Sequence, residues 1–296
     1  MNNIFKSGFV AAIGRPNVGK STLVNSLIGQ KIAIMSDKPQ TTRNKIMCIL
    51  NVEDAQILFI DTPGIHKPRH KLGEYMVHTA ENTLREVDVV LFVVDVTEEP
   101  GPGEEYILER LKAVSTPVVL VINKIDKVPY AKVLPAIERY QGKREFAAIV
   151  PISAAQKTNL DSLVTEIKKH LEPGPKYYPD DMITDQPERM LIAELIREKV
   201  LHVTREEIPH AIAVDIEEIT VRSNEDLYVR AVIYVERDSQ KGIVIGAGGK
   251  VLKEVGQAAR ADIENLLGSK AFLDLWVKVK KDWRNRSGVL KTLGYE

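Results

Sequence analysis

GFVAAIGRPNVGKSTLVNSLIG (8–29) decides the fold. Residues 8–13 form a short apolar run, 14–21 carry a glycine loop, and STLVNSLIG reads as a helix closed by Gly29. GRPNVGKS fits G-x-x-x-x-G-K-[ST] with a strand before it and a helix after it, the context in which this pattern cradles phosphates. Gly14 and Gly19 let the backbone wrap closely, so that N–H groups of Arg15, Pro16-flanking Asn17, Val18 and the residues that follow point at phosphate oxygens. The helix that starts near Lys20 adds its positive end. Lys20 reaches the β- and γ-phosphates and the Ser21 hydroxyl takes one Mg²⁺ position, with Thr22 beside it in the first turn.

Further apolar runs follow at 56–60, 87–96, 116–123 and 147–153, each without polar alternation, as strands buried on both faces of a mostly parallel sheet read. Helical patterns lie between them at 72–86, 103–114, 130–141 and 159–171. The spacing predicts a doubly wound α/β domain over 1–171. EPGPKYYPD (172–180) breaks the periodicity and reads as a linker. Residues 181–296 then read as a smaller α+β domain of order αββααβ: a helix over 187–204, strands over 211–221 and 227–236 joined by the turn RSNED, a short helix, the cluster GAGG (246–249), a helix over 250–267 and a last strand, AFLDLWVKVKK.

With 296 residues, two domains are expected. Lys+Arg and Asp+Glu both number 41, which excludes a uniformly basic nucleic-acid sleeve but not a local basic patch. The single cysteine, Cys48, excludes an internal disulfide framework and a Cys-based zinc site, and fits a reducing compartment. No apolar run approaches the ~18 residues of a spanning helix. MNNIFKSGFVAAIG lacks the basic start and small-residue cleavage site of a signal peptide, so the expected location is cytoplasmic.

DTPG (61–64) ends the apolar strand QILFI. Alone a D-x-x-G match is weak; here it sets a carboxylate at the carboxyl end of a strand, where such sheets bind ligands. Asp61 would hold Mg²⁺ through a water and the Gly64 N–H would sense the γ-phosphate, with Thr62 and Pro63 between them and Ile65 after. NKID (123–126) ends TPVVLVI and selects guanine. The Asp126 carboxylate can accept from the ring N–H and the exocyclic amine of guanine, and adenine offers no such pair. Asn123 would support the loop and reach N7, the Lys124 stem would lie over the base, and Ile125 completes the turn. The amides of Ser153, Ala154 and Ala155, at the next strand end, would receive the base carbonyl.

GAGG satisfies G-x-x-G between two helical stretches. Such a loop (Gly246, Ala247, Gly248, Gly249) lets an RNA backbone approach and clamps about four nucleotides. Lys250 and Lys253 lie on the next helix, and Val244, Ile245 and Val251 would line an apolar groove or pack as helix core. From 241 to 296, eleven basic residues face six acidic ones, a balance of +5. WVKVKKDWRNRSGVLK holds six of these with Trp276 and Trp283 interleaved, which suits phosphate contacts beside stacking surfaces. Trp276 is expected in the core; for Trp283, core packing and stacking stand even.

In this order, the four nucleotide elements resemble the Ras-like, translation-factor-related GTPases. With PQTTRNKI (39–46), DTPGIHKP (61–68) and the GAGG module, the chain resembles, essentially end to end, the Era family of bacterial GTPases, a P-loop GTPase domain joined to a type II KH domain. The resemblance implies a threonine completing the Mg²⁺ shell in the GTP state; Thr42 matches, and adjacent Thr41 stays open. Lys20, Thr42 and Gly64 would then carry catalysis. Ile65 stands where Ras-type enzymes carry a water-orienting glutamine and cannot hydrogen-bond water, so slow turnover is expected. His66 and His70 read as solvated switch histidines rather than a metal pair. Ala247 replaces the basic residue usual in the family. The resemblance further implies a cytoplasmic monomer that binds single-stranded RNA near the 3′ end of small-subunit (16S) ribosomal RNA and acts in 30S subunit assembly, with peripheral contact to anionic membrane. An RNA scaffold with incidental hydrolysis and a membrane-surface GTPase are the alternatives.

Overall fold

The computed structural model describes residues 4–38, 40–65, 67–68, 70–205, 208–222 and 226–295. Residues 1–33, 42–68 and 76–185 form one compact unit; residues 34–41, 69–75 and 186–296 form a second.

In the first unit, β1 (Lys6–Ile13), α1 (Lys20–Ile28), β2 (Ile46–Val52), β3 (Ala55–Asp61), α2 (Lys71–Thr83, its first residues grouped with the second unit), β4 (Val89–Asp95), α3 (Pro102–Lys112), β5 (Val118–Asn123), α4 (Val133–Glu138), β6 (Ala148–Pro151) and α5 (Leu160–Lys169) follow in chain order. Among the described residues the strands form one sheet in the order β2-β3-β1-β4-β5-β6, parallel except for β2, which runs antiparallel to β3. β3, β4 and β5 are buried along their whole length, which is why they read as unbroken apolar runs. After β3 the chain crosses to the other side of β1, so the loop after β1 lies where strand order reverses, with the carboxyl ends of β3 and β5 on the same edge.

The sequence reading gives no strand over 46–52. IMCILNV is an edge strand buried on alternate residues at its start, and its cysteine, Cys48, is fully buried, with its thiol pushed up by that burial. The helix expected over 130–141 is a 3₁₀ turn at Tyr130–Lys132 followed by the short α4. The segment read as a linker is tied along the first unit. The Gln56 side chain accepts the N–H groups of Tyr177 and Tyr178 at 2.7 and 3.0 Å, and Ile183 accepts the Ile49 N–H at 2.8 Å.

The second unit contains α6 (Glu188–Val203), α7 (Ile208–Ala211), β7 (Ala213–Val221), β8 (Leu227–Val235), α8 (Asp238–Ile245), α9 (Lys250–Leu267), β9 (Ala271–Val279) and α10 (Ser287–Thr292). The sheet order is β7-β8-β9, antiparallel then parallel. Ile192, Leu195 and Ile196 of α6 and Val255, Ala259 and Ile263 of α9 share a core with Val229, Ala231, Ile233 and Val277 of the sheet. The order αββααβ is present, with α7 and α10 added. The turn expected at 222–226 falls on 223–225, outside the described residues.

Trp276 departs from its expected core position, and of the two readings left open for Trp283 the structure takes core packing. β9 alternates: Leu273, Leu275 and Val277 join the core, so Trp276 is on the opposite face and 55% exposed. Trp283 is fully buried, donates its indole N–H to the Ala211 carbonyl at 2.8 Å, and stacks on Tyr295.

Candidate nucleotide site and candidate RNA site

The loop after β1 is shaped by what surrounds it. Gly19 caps α1 at φ +98°, and a Cβ there would lie 2.3 Å from Asn123 Nδ2, so conformation and space both demand glycine. The first turn of α1 carries no acidic residue to offset its positive end. Lys20 is buried and its ammonium bonds the carbonyls of Gly14 and Arg15 at 3.2 and 2.8 Å. Burial lowers its pKa to about 8, with Asp61 acting in the opposite sense. The Arg15 side chain turns to the buried Glu104 at 2.5 Å and to Glu98, leaving its main chain to the loop.

Three oxygens meet beside Lys20. Ser21 Oγ donates to Asp61 Oδ2 at 2.6 Å, Thr42 Oγ1 donates to the same atom at 3.2 Å, and the two hydroxyls are 3.0 Å apart. The Thr41 hydroxyl instead donates to the Lys38 carbonyl at 2.6 Å, so of the two threonines Thr42 is the one that faces Asp61. Asp61 is completely buried, its Oδ1 has no partner among the described residues, and burial raises its pKa against the pull of Ser21, Lys20 and Thr42. A hard oxygen set around an orphaned carboxylate oxygen fits Mg²⁺. Among the described residues no three His, Cys, Asp or Glu side chains cluster as a metal site. His66 and the metal-pair question it raised lie outside the described residues; the His70 ring accepts the Gly73 N–H at 2.9 Å at the start of α2, a cap rather than a solvated side chain.

Thr62 is buried and donates to the Ala12 carbonyl at 2.8 Å; Gly64 lies against Pro16, so close that a Cβ would be 2.8 Å from its nitrogen. Ile65 donates its N–H to the Gly14 carbonyl at 3.3 Å, and its side chain is in the core with Ile13 and Phe92. Ile65 is therefore a packing residue.

At the end of β5, Asn123 is a brace. Its Nδ2 donates to the Val18 carbonyl at 2.9 Å, and its Oδ1 accepts the N–H groups of Lys124 and Ala154 at 2.8 and 3.0 Å. One side chain thus ties the phosphate loop to the SAA loop. Lys124 sits in the left-handed region, φ +67°, and bonds the Asn17 carbonyl at 2.8 Å and Asp95 at 2.5 Å. Asp126 is exposed at the rim and accepts the Ser153 hydroxyl at 2.5 Å. Of the SAA amides, that of Ala154 already faces Asn123. Sequence reasoning missed Asn25, which is buried and accepts the N–H groups of Ile32 and Ala33 at 3.0 and 2.9 Å while donating to the Ala33 carbonyl at 2.6 Å. A polar residue beside the buried Leu23 and Val24 of α1 was the available signal.

In the second unit, α8 ends at Gly246, and Gly246, Gly248 and Gly249 all have positive φ. Ala247, Lys250 and Lys253 are exposed. The groove beside the loop is lined by Gly249, Leu252, Lys253, Gly256, Arg260 and, from β9, Phe272, Leu273 and Leu275. Its apolar floor comes from α9 and β9. Val244, read as a candidate lining residue, is fully buried in the core. Gly256 and Arg260 were missed; a glycine in the middle of α9, with room for Leu275 against it, was the signal. Of the six basic residues in 276–291, Lys278 pairs with Glu217 at 2.8 Å and Arg284 with Glu236 at 2.6 Å.

Residues 9–124 match the family model described as a 50S ribosome-binding GTPase, and residues 207–284 match a KH domain model. The molecule is thus a P-loop GTPase carrying a KH domain. Two solved structures align along its whole length, each at 46% identity and a TM-score of 0.96, covering 98% of this chain and 99% of theirs. One is Era in complex with MgGDPNP and nucleotides 1506–1542 of 16S ribosomal RNA; the other is an Aquifex aeolicus Era variant bound to GDP and AlF4⁻. The chain belongs to the Era family of GTPases.

Proposed function

We propose that this chain is a slow GTPase switch that binds the 3′ region of small-subunit (16S) ribosomal RNA and acts in 30S subunit assembly. One observation carries the reading: a single chain holds a braced phosphate loop with an oxygen set for Mg²⁺ and a glycine-loop groove for RNA, and it shares its full length with an Era crystallised with both ligands.

The amides of 14–21 and the Lys20 ammonium hold the triphosphate, and Asp126 reads the guanine edge. Ser21, Thr42 and Asp61 would hold Mg²⁺, which when bound supplies charge neutralisation at the β- and γ-phosphates. Thr42 and Gly64 meet the γ-phosphate end, so that its loss releases the loops at 31–46 and 61–75. With Ile65 buried, water is positioned without a side chain from that place, and incomplete preorganisation makes intrinsic turnover slow. Gly246 to Gly249 let the RNA backbone approach, Lys250 and Lys253 meet phosphates, and bases rest on Leu252, Leu273 and Leu275. We place the protein in the cytoplasm as a monomer. No helix among the described residues is long and apolar enough to cross a membrane, so contact with anionic lipid would be peripheral, through the basic 241–296 segment.

The test is the affinity of a 3′-terminal 16S RNA fragment, by fluorescence anisotropy, with GDPNP or GDP bound. Coupling predicts a difference of about tenfold. Equal affinities, with hydrolysis unresponsive to 30S subunits, would leave the scaffold reading instead.

A further inference from the structure

The second unit contains residues 34–41, which run up to the metal-site threonine, together with α6. One face of α6 grips this segment at both ends. Glu198, 1% exposed, accepts the Met35 N–H at 2.8 Å, and His202 Nε2 bonds the Met35 carbonyl at 3.0 Å. At the other end the Arg197 guanidinium, also 1% exposed, donates to the Thr41 carbonyl. Glu194 holds that guanidinium by two bonds, Nε to Oε1 at 2.7 Å and Nη2 to Oε2 at 2.6 Å.

We propose that Arg197 is a positioning residue for the GTP-bound state, acting through the Thr41 main chain on Thr42. The step from one to the other is covalent geometry. The Thr41 carbonyl oxygen and the Thr42 N and Cα share one peptide plane, so anchoring the oxygen restrains the peptide from which Thr42 departs. The Thr42 hydroxyl is then 3.2 Å from Asp61 Oδ2 and 3.0 Å from Ser21 Oγ, among the oxygens that fit Mg²⁺. A buried Arg–Glu pair adds little stability over apolar residues of the same volume. What an apolar pair cannot supply is a planar fork that binds a carboxylate and a carbonyl together. The contact is to backbone, so it is independent of the side chain at 41, which is turned to Lys38.

The inference rests on Thr42 meeting the Mg²⁺–triphosphate, and the test separates the two claims. Mg²⁺-dependent affinities for GDPNP and GDP are measured by calorimetry on the full chain. Thr42→Ala sets the scale: it lowers GDPNP affinity selectively if Thr42 has that role. The paired change Glu194→Met and Arg197→Met removes the donor without stranding a charge. It is expected to lower GDPNP affinity about tenfold while GDP affinity moves less than about twofold, the size of one charge-assisted hydrogen bond. Amide exchange over 35–42 should accelerate in the GDPNP complex while that of β3, β4 and β5 is unchanged, which separates local loosening from a loss of overall stability. Arg197→Lys, which keeps the charge beside Glu194 but cannot span both partners, should lower the GDPNP/GDP ratio in the same direction, and it decides alone if the paired variant does not fold. An unchanged ratio in these variants, with Thr42→Ala selective, overturns the role of Arg197. A Thr42→Ala variant without selectivity overturns the role of Thr42 itself.

Discussion

The two glycine loops are alike in chain and unlike in setting. Each opens a helix whose first residue is a lysine, Lys20 or Lys250, and each ends on a glycine in the left-handed region, Gly19 at φ +98° or Gly249 at φ +79°. At Gly19 an added Cβ meets Asn123 at 2.3 Å; at Gly249 it meets nothing within 4 Å. Lys20 is buried, whereas Lys250 is exposed. Similar backbone chemistry thus serves a closed, braced cradle in one place and an open surface in the other. In the first site the charges of Lys20 and Asp61 interact strongly because both are buried. On the open one, binding is spread over many weak contacts and falls with salt. The loop supplies N–H groups and close approach; the neighbours decide which ligand is bound.

The contrast is tested hardest by Lys20→Ala. Removing this buried cation from the cradle should weaken GDP binding by more than about a hundredfold in calorimetry. A loss as small as that expected for Lys250→Ala on RNA would erase the distinction. Next in size is Ile65→Gln. Placing an amide in the core beside Ile13 and Phe92 should destabilise the chain by roughly 2–4 kcal/mol in urea unfolding, with no gain in hydrolysis. Faster turnover at unchanged stability would show that the position faces the nucleotide instead.

At the rim of the cradle the effect should be one of choice more than strength. Asp126→Asn exchanges an acceptor pair for an amide that can donate to the extra oxo group of xanthine. Preference should move from GDP toward XDP by about tenfold or more in a competition assay; unaltered guanine preference would break the assignment. At the open loop, Gly249→Ala and Gly249→Asp separate conformation from charge. Alanine meets no clash there and carries only the left-handed strain, about 1–2 kcal/mol. Aspartate adds repulsion of RNA phosphates, and the extra loss should shrink as salt rises. Equal losses for both would mean that backbone conformation at Gly249, not charge, limits RNA binding.

Much of this architecture was legible in the sequence, for physical reasons. Strands buried on both faces leave uninterrupted apolar runs, and phosphate loops demand glycines at fixed spacing, so β1, β3, β4 and β5 and the motifs at their ends stand out. β2 did not, because an edge strand with a polar end lacks that signature. Which of two adjacent threonines reaches Asp61 depends on one backbone turn, and neighbouring letters do not record it. Trp276 left its expected core place and Trp283, whose two readings stood even, took one, because sheet register in the first case and a tail folding back in the second set burial. Most hidden was the grouping of 34–41 with α6, made by Arg197, Glu198 and His202, more than 150 residues away in the chain.

The smallest expected effect concerns protons, and it again separates the buried lysine from the exposed one. Burial lowers the Lys20 pKa from the ordinary lysine value to about 8. Between pH 8 and the ordinary value, the unfolded chain holds a proton at this position that the folded chain has lost. Stability from this group therefore rises with pH through that window and is lowest below it. Nucleotide binding runs the other way. Phosphate oxygens favour the ammonium, so binding restores the proton, and affinity should fall as pH climbs past 8. Calorimetry of GDP binding in buffers of different ionisation enthalpy should show an uptake near pH 8 of about half a proton, vanishing toward pH 6. Lys20→Ala should abolish the uptake, and Lys250→Ala should leave it intact. Uptake that survives Lys20→Ala would place the titrating group elsewhere, and the buried cradle would lose its distinguishing charge.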